Sequence, residues 1–103
     1  RAAARIVAIQ PSSHEGYVLW AMIHRRSGDM DKSLTSINDA IDRNNSDADL
    51  FAFRAVVQRD LGMTKSALSS ASRALSLEPS NKELSGFVRS LEASVVASVP
   101  GED

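Results

Sequence analysis

Residues 12–28, SSHEGYVLWAMIHRRSG, and residues 46–62, SDADLFAFRAVVQRDLG, are two versions of one pattern. Each opens on serine, carries an acid three residues later, continues with an aromatic and a small residue, and closes on glycine. Gly28 and Gly62 are 62−28 = 34 residues apart, and the same interval relates Ala21 to Ala55, Leu34 to Leu68, Ala40 to Ala74 and Tyr17 to Phe51. Ser12, Ser46 and Ser80 share it, as do Glu15, Asp49 and Glu83. A fixed period of this length is the mark of stacked supersecondary units.

Each recurring residue has a local reason. Ser12/Glu15, Ser46/Asp49 and Ser80/Glu83 have the form of capping boxes, with a serine oxygen accepting from a first-turn N–H and the acid facing the positive helix end. Asp49 is shorter than the preferred glutamate, so the middle box is the weakest. Pro11 and Pro79 stand before their serines and stop the preceding helix. Gly28 and Gly62, about one helix length after each start, suit the left-handed residue that ends a helix and folds the chain back.

The spacing therefore predicts helical hairpins, with helices over 13–27, 30–43, 47–61, 64–77 and 81–97, and residues 1–9 as the tail of an earlier helix. Tyr17, Trp20, Ala21 and His24 lie on one helical stripe, as do Met30, Leu34, Ile37 and Ile41, and then Ala67, Leu68, Ala71, Ala74 and Leu75. Small residues on such stripes let paired helices approach closely. Leu84, Phe87, Val88, Leu91 and Val95 give the last helix one apolar side, as expected of a cap. Gly86 lies inside that helix, should cost about 1 kcal/mol relative to alanine, and reads as a close helix contact. Ser98 to Asp103 contains Pro100 and Gly101 and reads as a frayed end or linker.

Composition excludes several function classes. At 103 residues, 43% hydrophobic and 24% charged, the chain fits one globular unit, and a net charge of -1 offers no bulk attraction to nucleic acid or an anionic membrane. No cysteine is present, which removes disulfides, thiolate metal sites and a cysteine nucleophile. No apolar run is long enough to span a membrane, so the chain is expected to be soluble, with its compartment open and the cytoplasm favoured. It begins on Arg1 in what reads as mid-helix, suggesting a segment of something longer.

No catalytic constellation is visible. His14 and His24 lack a third ligand at metal spacing, no serine sits in a strand-turn-helix elbow, and the glycines do not cluster into a phosphate loop. His24 and Trp20 read as packed interior residues. No metal, cofactor or enzymatic activity is expected.

These residues resemble the tetratricopeptide repeat family, with residues 14–47 and 48–81 as two full repeats, 1–10 as the end of a preceding repeat helix, 82–97 as a capping helix and 98–103 as a tail. The first repeat reads Tyr17, Trp20, Ala21, His24, Gly28, Ser33, Ile37 and Ala40, with Asn45 where proline is usual. The second reads Phe51, Arg54, Ala55, Gln58, Gly62, Ala67, Ala71, Ala74 and Pro79. His24 and Gln58 replace the usual tyrosine, and Arg54 the usual leucine. The rival helical repeat that reads RNA needs an interval one residue longer. The implied fold is all-α, a right-handed solenoid of antiparallel helix pairs.

The resemblance implies a protein-protein interaction scaffold whose first helices line a concave groove. The groove-facing residues would be Glu15, Val18, Met22, Arg25 and Arg26, then Asp49, Ala52, Val56, Arg59 and Asp60. The expected partner is an extended or helical peptide with an apolar anchor and an acidic group near the arginines. The lysine and asparagine clamp that some members use for chaperone tails is absent, since Val18, Met22, Ala52 and Val56 occupy those places. Two further readings remain. Ala3, Ile6, Val7 and Ile9 could pair with a second copy as a homo-oligomer, or the chain could be the docking arm of a larger enzyme.

Overall fold

Two glycines set the hairpins of the chain, whose computed structural model describes residues 14–102. Gly28 has φ +87° and Gly62 φ +83°, and no other positive φ occurs among the described residues. At each turn two backbone bonds tie off the helix end. Gly28 N–H donates to Arg25 O at 3.1 Å and Asp29 N–H to His24 O at 2.8 Å; Gly62 N–H donates to Arg59 O at 3.0 Å and Met63 N–H to Gln58 O at 2.8 Å. This is the Schellman pattern, formed twice in the same register.

The helices are α1 (His14–Arg26), α2 (Met30–Arg43), α3 (Ala48–Asp60), α4 (Thr64–Leu77) and α5 (Lys82–Glu102). Starts at 14, 48 and 82 are 34 apart, as are those at 30 and 64, so the sequence period is a structural one. The first four lie within one residue of the predicted spans. The last is longer: it continues through Glu102, so the segment expected as a frayed tail is helical to that point. The predicted helix tail at 1–10 lies outside the described residues.

The helix starts differ from the expected boxes by one residue. Asp47 caps α3, its Oδ1 accepting from Asp49 N–H at 2.9 Å, and Asn81 Oδ1 accepts from Leu84 N–H at 3.1 Å before α5. Ser46 instead gives its N–H to Asn44 Oδ1 at 3.2 Å. Leu50 and Leu84, third in their helices, are buried in the core, so the position a box acid would need is taken by packing. Ser12 falls outside the described residues.

Consecutive helices pack against one another, most closely within the hairpins α1–α2 and α3–α4, while α4–α5 and α2–α3 join the units. The core is built on alanines. Ala21, Ala40, Ala55, Ala67, Ala71 and Ala74 are fully buried and let the backbones approach, while Ile37, Ile41, Leu50, Phe51, Leu84, Val88 and Leu91 fill the volume between them. Val57 of α3, which packs against both α2 and α4, is fully buried, but its counterpart Ile23 on α1, the first of the described helices, is 39% exposed.

Gly86 is not a close contact. A Cβ built there meets nothing within 4 Å, and the same is true at Gly28 and Gly62, where the constraint is φ alone. Gly86→Ala should therefore raise unfolding free energy by about 1 kcal/mol. Gly62→Ala should lower it by about 1–2 kcal/mol, the cost of a left-handed β-carbon. Urea unfolding of the two variants should move the midpoint in opposite directions.

Candidate functional site

The face carried by the first helix of each hairpin has a graded chemistry. At its N-terminal end Glu15 and Asp49 are exposed, in the first turns of α1 and α3, where a carboxylate is favoured by the helix dipole. In the middle Val18 and Ala52 are half-buried against the core and Val56 is half-buried, whereas Met22 is 46% exposed. At the C-terminal end, about 15 Å along the helix from Glu15, stand Arg25, Arg26 and Arg59, with Asp60.

The structure brings three of these end residues into contact. Arg25 Nη2 and Nε donate to Asp60 Oδ2 at 3.2 and 3.3 Å, and Arg59 Nη2 lies 3.5 Å from Asp60 Oδ1. One carboxylate thus joins the ends of α1 and α3. Arg59 also sits over the ring of Phe87 on α5, 5.6 Å from its centroid. Arg26 is exposed on the last turn of α1. Two of the three arginines expected to receive a carboxylate therefore already hold one from within the chain.

Trp20 and His24 stack on each other one helical turn apart, ring centroids 5.4 Å apart and 15° from parallel. Both are half-buried, so the expected interior role is only partly realised. Tyr17 lies under Arg43, whose guanidinium carbon is 4.4 Å from the ring centroid.

A polar network behind this face escaped the sequence reading. Ser70 Oγ donates to Gln58 Oε1 at 2.6 Å and accepts from Arg54 Nε at 3.0 Å, and Arg54 Nη1 donates to Asn38 Oδ1 at 3.1 Å. It ties α2, α3 and α4 together. Burial lowers the Arg54 pKa from its ordinary value, with Asp42 nearby acting in the opposite direction, and the guanidinium also lies 5.2 Å from the Phe51 ring centroid. The signal was present: Arg54 and Gln58, the two departures from the family preference in the second repeat, are four residues apart on one helix face. Buried Ser33 makes a simpler bond, Oγ to Ala21 O at 2.6 Å, closing α1 on α2.

Among the described residues no three His, Asp or Glu side chains converge as metal ligands would, and no helix is long and apolar enough to cross a membrane.

No family model matches the chain, and no curated protein matches it. Solved structures do. The first TPR of Spaghetti (RPAP3), bound to the HSP90 peptide SRMEEVD, superposes with TM-score 0.84 at 19% identity over 91% of this chain and 75% of that one. The first TPR domain of human RPAP3 gives 0.86 at 18% identity over 95% and 77%. The second TPR domain of human RPAP3, in complex with the HSP70 peptide SGPTIEEVD, gives 0.78 at 21% identity over 87% and 75%. At such identities the likeness speaks for the fold alone, and together with the 34-residue recurrence of glycine-capped hairpins it shows that this chain has the tetratricopeptide-type helical solenoid fold.

Proposed function

We propose that the chain is a non-catalytic protein-interaction scaffold that takes an extended or helical peptide along the face of α1 and α3. The observation that carries this reading is the polarity of that face: carboxylates at one end, an apolar centre of Val18, Met22, Ala52 and Val56, and arginines at the other. A peptide with an apolar side chain followed by acidic ones matches the sequence of environments, and Arg25, Arg26 and Arg59 meet it with planar donors suited to carboxylates.

Two solved relatives in fold carry bound peptides ending in EEVD, which supports peptide capture as the activity. The central positions of this chain are apolar, so the grip comes from the Val18–Val56 stripe instead of a lysine and asparagine clamp. The preferred ligand accordingly differs from those tails in having a larger apolar anchor.

Selection from a random peptide display library on the whole chain should return sequences with an apolar residue beside acidic ones. Charge reversal of Arg25, Arg26 and Arg59 to glutamate should weaken a selected peptide at least ~10-fold with the helical circular dichroism preserved. Selection of basic sequences, or unchanged affinity in the reversed variant, would sink the proposal.

A further inference from the structure

We infer that Asp60 is an internal stand-in for the ligand's carboxylate, occupying Arg25 and Arg59 in the free protein and yielding them to an acidic peptide. This deepens, and rests on, the peptide-binding role proposed for the α1–α3 face.

The geometry is that of a carboxylate recognised by two guanidinium groups. Arg25 directs Nε and Nη2 at one oxygen of Asp60, at 3.3 and 3.2 Å, and Arg59 approaches the other at 3.5 Å. The two arginines come from different helices and occupy the same position in their hairpins, since 25+34 = 59. A ligand carboxylate entering between α1 and α3 at this end would meet the same donors, and Asp60 is in its place.

Asp60 is poorly held by anything else. It is the last residue of α3, where the helix dipole disfavours a negative charge. Its side chain is 28% exposed, against 38% and 48% for Arg25 and Arg59, and ion pairs open to water to this degree hold weakly. An incoming carboxylate can therefore exchange with it at little cost. The sign of its charge also breaks the repeat: the equivalent residue of the first hairpin is Arg26, since 26+34 = 60.

Release of Asp60 would not scatter the receiving groups. Arg59 stays seated over the Phe87 ring of α5, so one guanidinium is oriented from a second side before any ligand arrives. Asp60 thus acts as a competitor that sets the affinity for acidic ligands and rejects weak ones, leaving exposed Arg26 as the first point of approach.

The test compares wild type with Asp60→Asn, using a short fluorescent peptide that carries a leucine and two adjacent glutamates, and its diglutamine counterpart. Fluorescence anisotropy should show Asp60→Asn binding the diglutamate peptide roughly three- to tenfold more tightly than wild type. The gain should fade near 1 M salt, and the diglutamine peptide should be unaffected. If wild type binds the diglutamate peptide and Asp60→Asn binds it equally or more weakly, Asp60 is a bystander or a positioning residue, the inference is overturned, and the peptide-binding role stands. If neither protein binds, both fall together. Circular dichroism of Asp60→Asn should match wild type, since an exposed helix-terminal residue is the only change.

Discussion

Ile37→Ala should lower the unfolding free energy by about 2–5 kcal/mol, the range for deleting a buried isoleucine side chain to the β-carbon. Ile37 is fully buried and is the largest such side chain in the described core, set among Ala21, Ala40, Ile41, Leu50, Phe51 and Ala74. Three of these neighbours are alanines, which have no side chain to move into the vacated volume. The equivalent position of the second hairpin is Ala71, since 37+34 = 71, yet alanine is accommodated there because Val88 and Leu91 of α5 pack into the same cluster. The substitution that nature makes in one repeat is thus not free in the other. A loss of this size is a large share of the ~5–15 kcal/mol that holds a domain of ordinary stability, and the melting temperature should fall by about 10 °C or more. Urea unfolding should show a lower midpoint with an unchanged slope. A shift corresponding to less than ~1 kcal/mol would mean that α1 and α3 close over the gap, contrary to the packing described.

Ser70→Ala should cost about 1–3 kcal/mol although it removes a single oxygen. Ser70 is 2% exposed, and its hydroxyl is both donor to Gln58 Oε1 and acceptor from Arg54 Nε. Gln58 is itself buried, so removal of the hydroxyl leaves its carbonyl oxygen without that bond where water has little access. Arg54 keeps Asn38 as a partner at 3.1 Å and is only half-buried, so its share of the loss is smaller. The distinguishing measurement is the double variant Ser70→Ala/Gln58→Leu. With both polar groups gone there is no orphaned oxygen, and the pair should recover most of the loss. If the double variant is instead less stable than the sum of the singles, the hydroxyl matters for a reason other than satisfying Gln58.

The hairpins were legible because their determinants are local. A glycine with φ above +80° after a helix-length apolar stripe is a property of a few adjacent residues, and so is the alternation of alanine with larger groups at 21, 40, 55 and 74. Helix caps were legible only to within a residue. Ser46 and Asp47 are both competent caps, and the choice fell to Asp47 because Leu50 had to point into the core from the third helical position. Nothing within the local stretch distinguishes the two; the facing helices do.

For the candidate site, the family resemblance pointed to Glu15, Val18, Met22, Arg25, Arg26, Asp49, Ala52, Val56, Arg59 and Asp60; along α1 and α3 the exposed Glu15 and Asp49 come first, then the apolar residues, and then the arginines together with Asp60. What the pattern could not show was that Arg25 and Asp60, 35 residues apart, lie within hydrogen-bonding distance. Nor could it show that Arg54, Gln58, Ser70 and Asn38 meet across three helices.

By itself, then, the sequence determined the period, the helices, the glycine turns and the alanine lining of the core, all of which follow from short-range sterics and the 3.6-residue repeat. The tertiary structure alone decided which arginine holds which carboxylate, which serine is buried and which cap is used. Those outcomes depend on distances between side chains that belong to different helices, and such distances are set only when the hairpins stack.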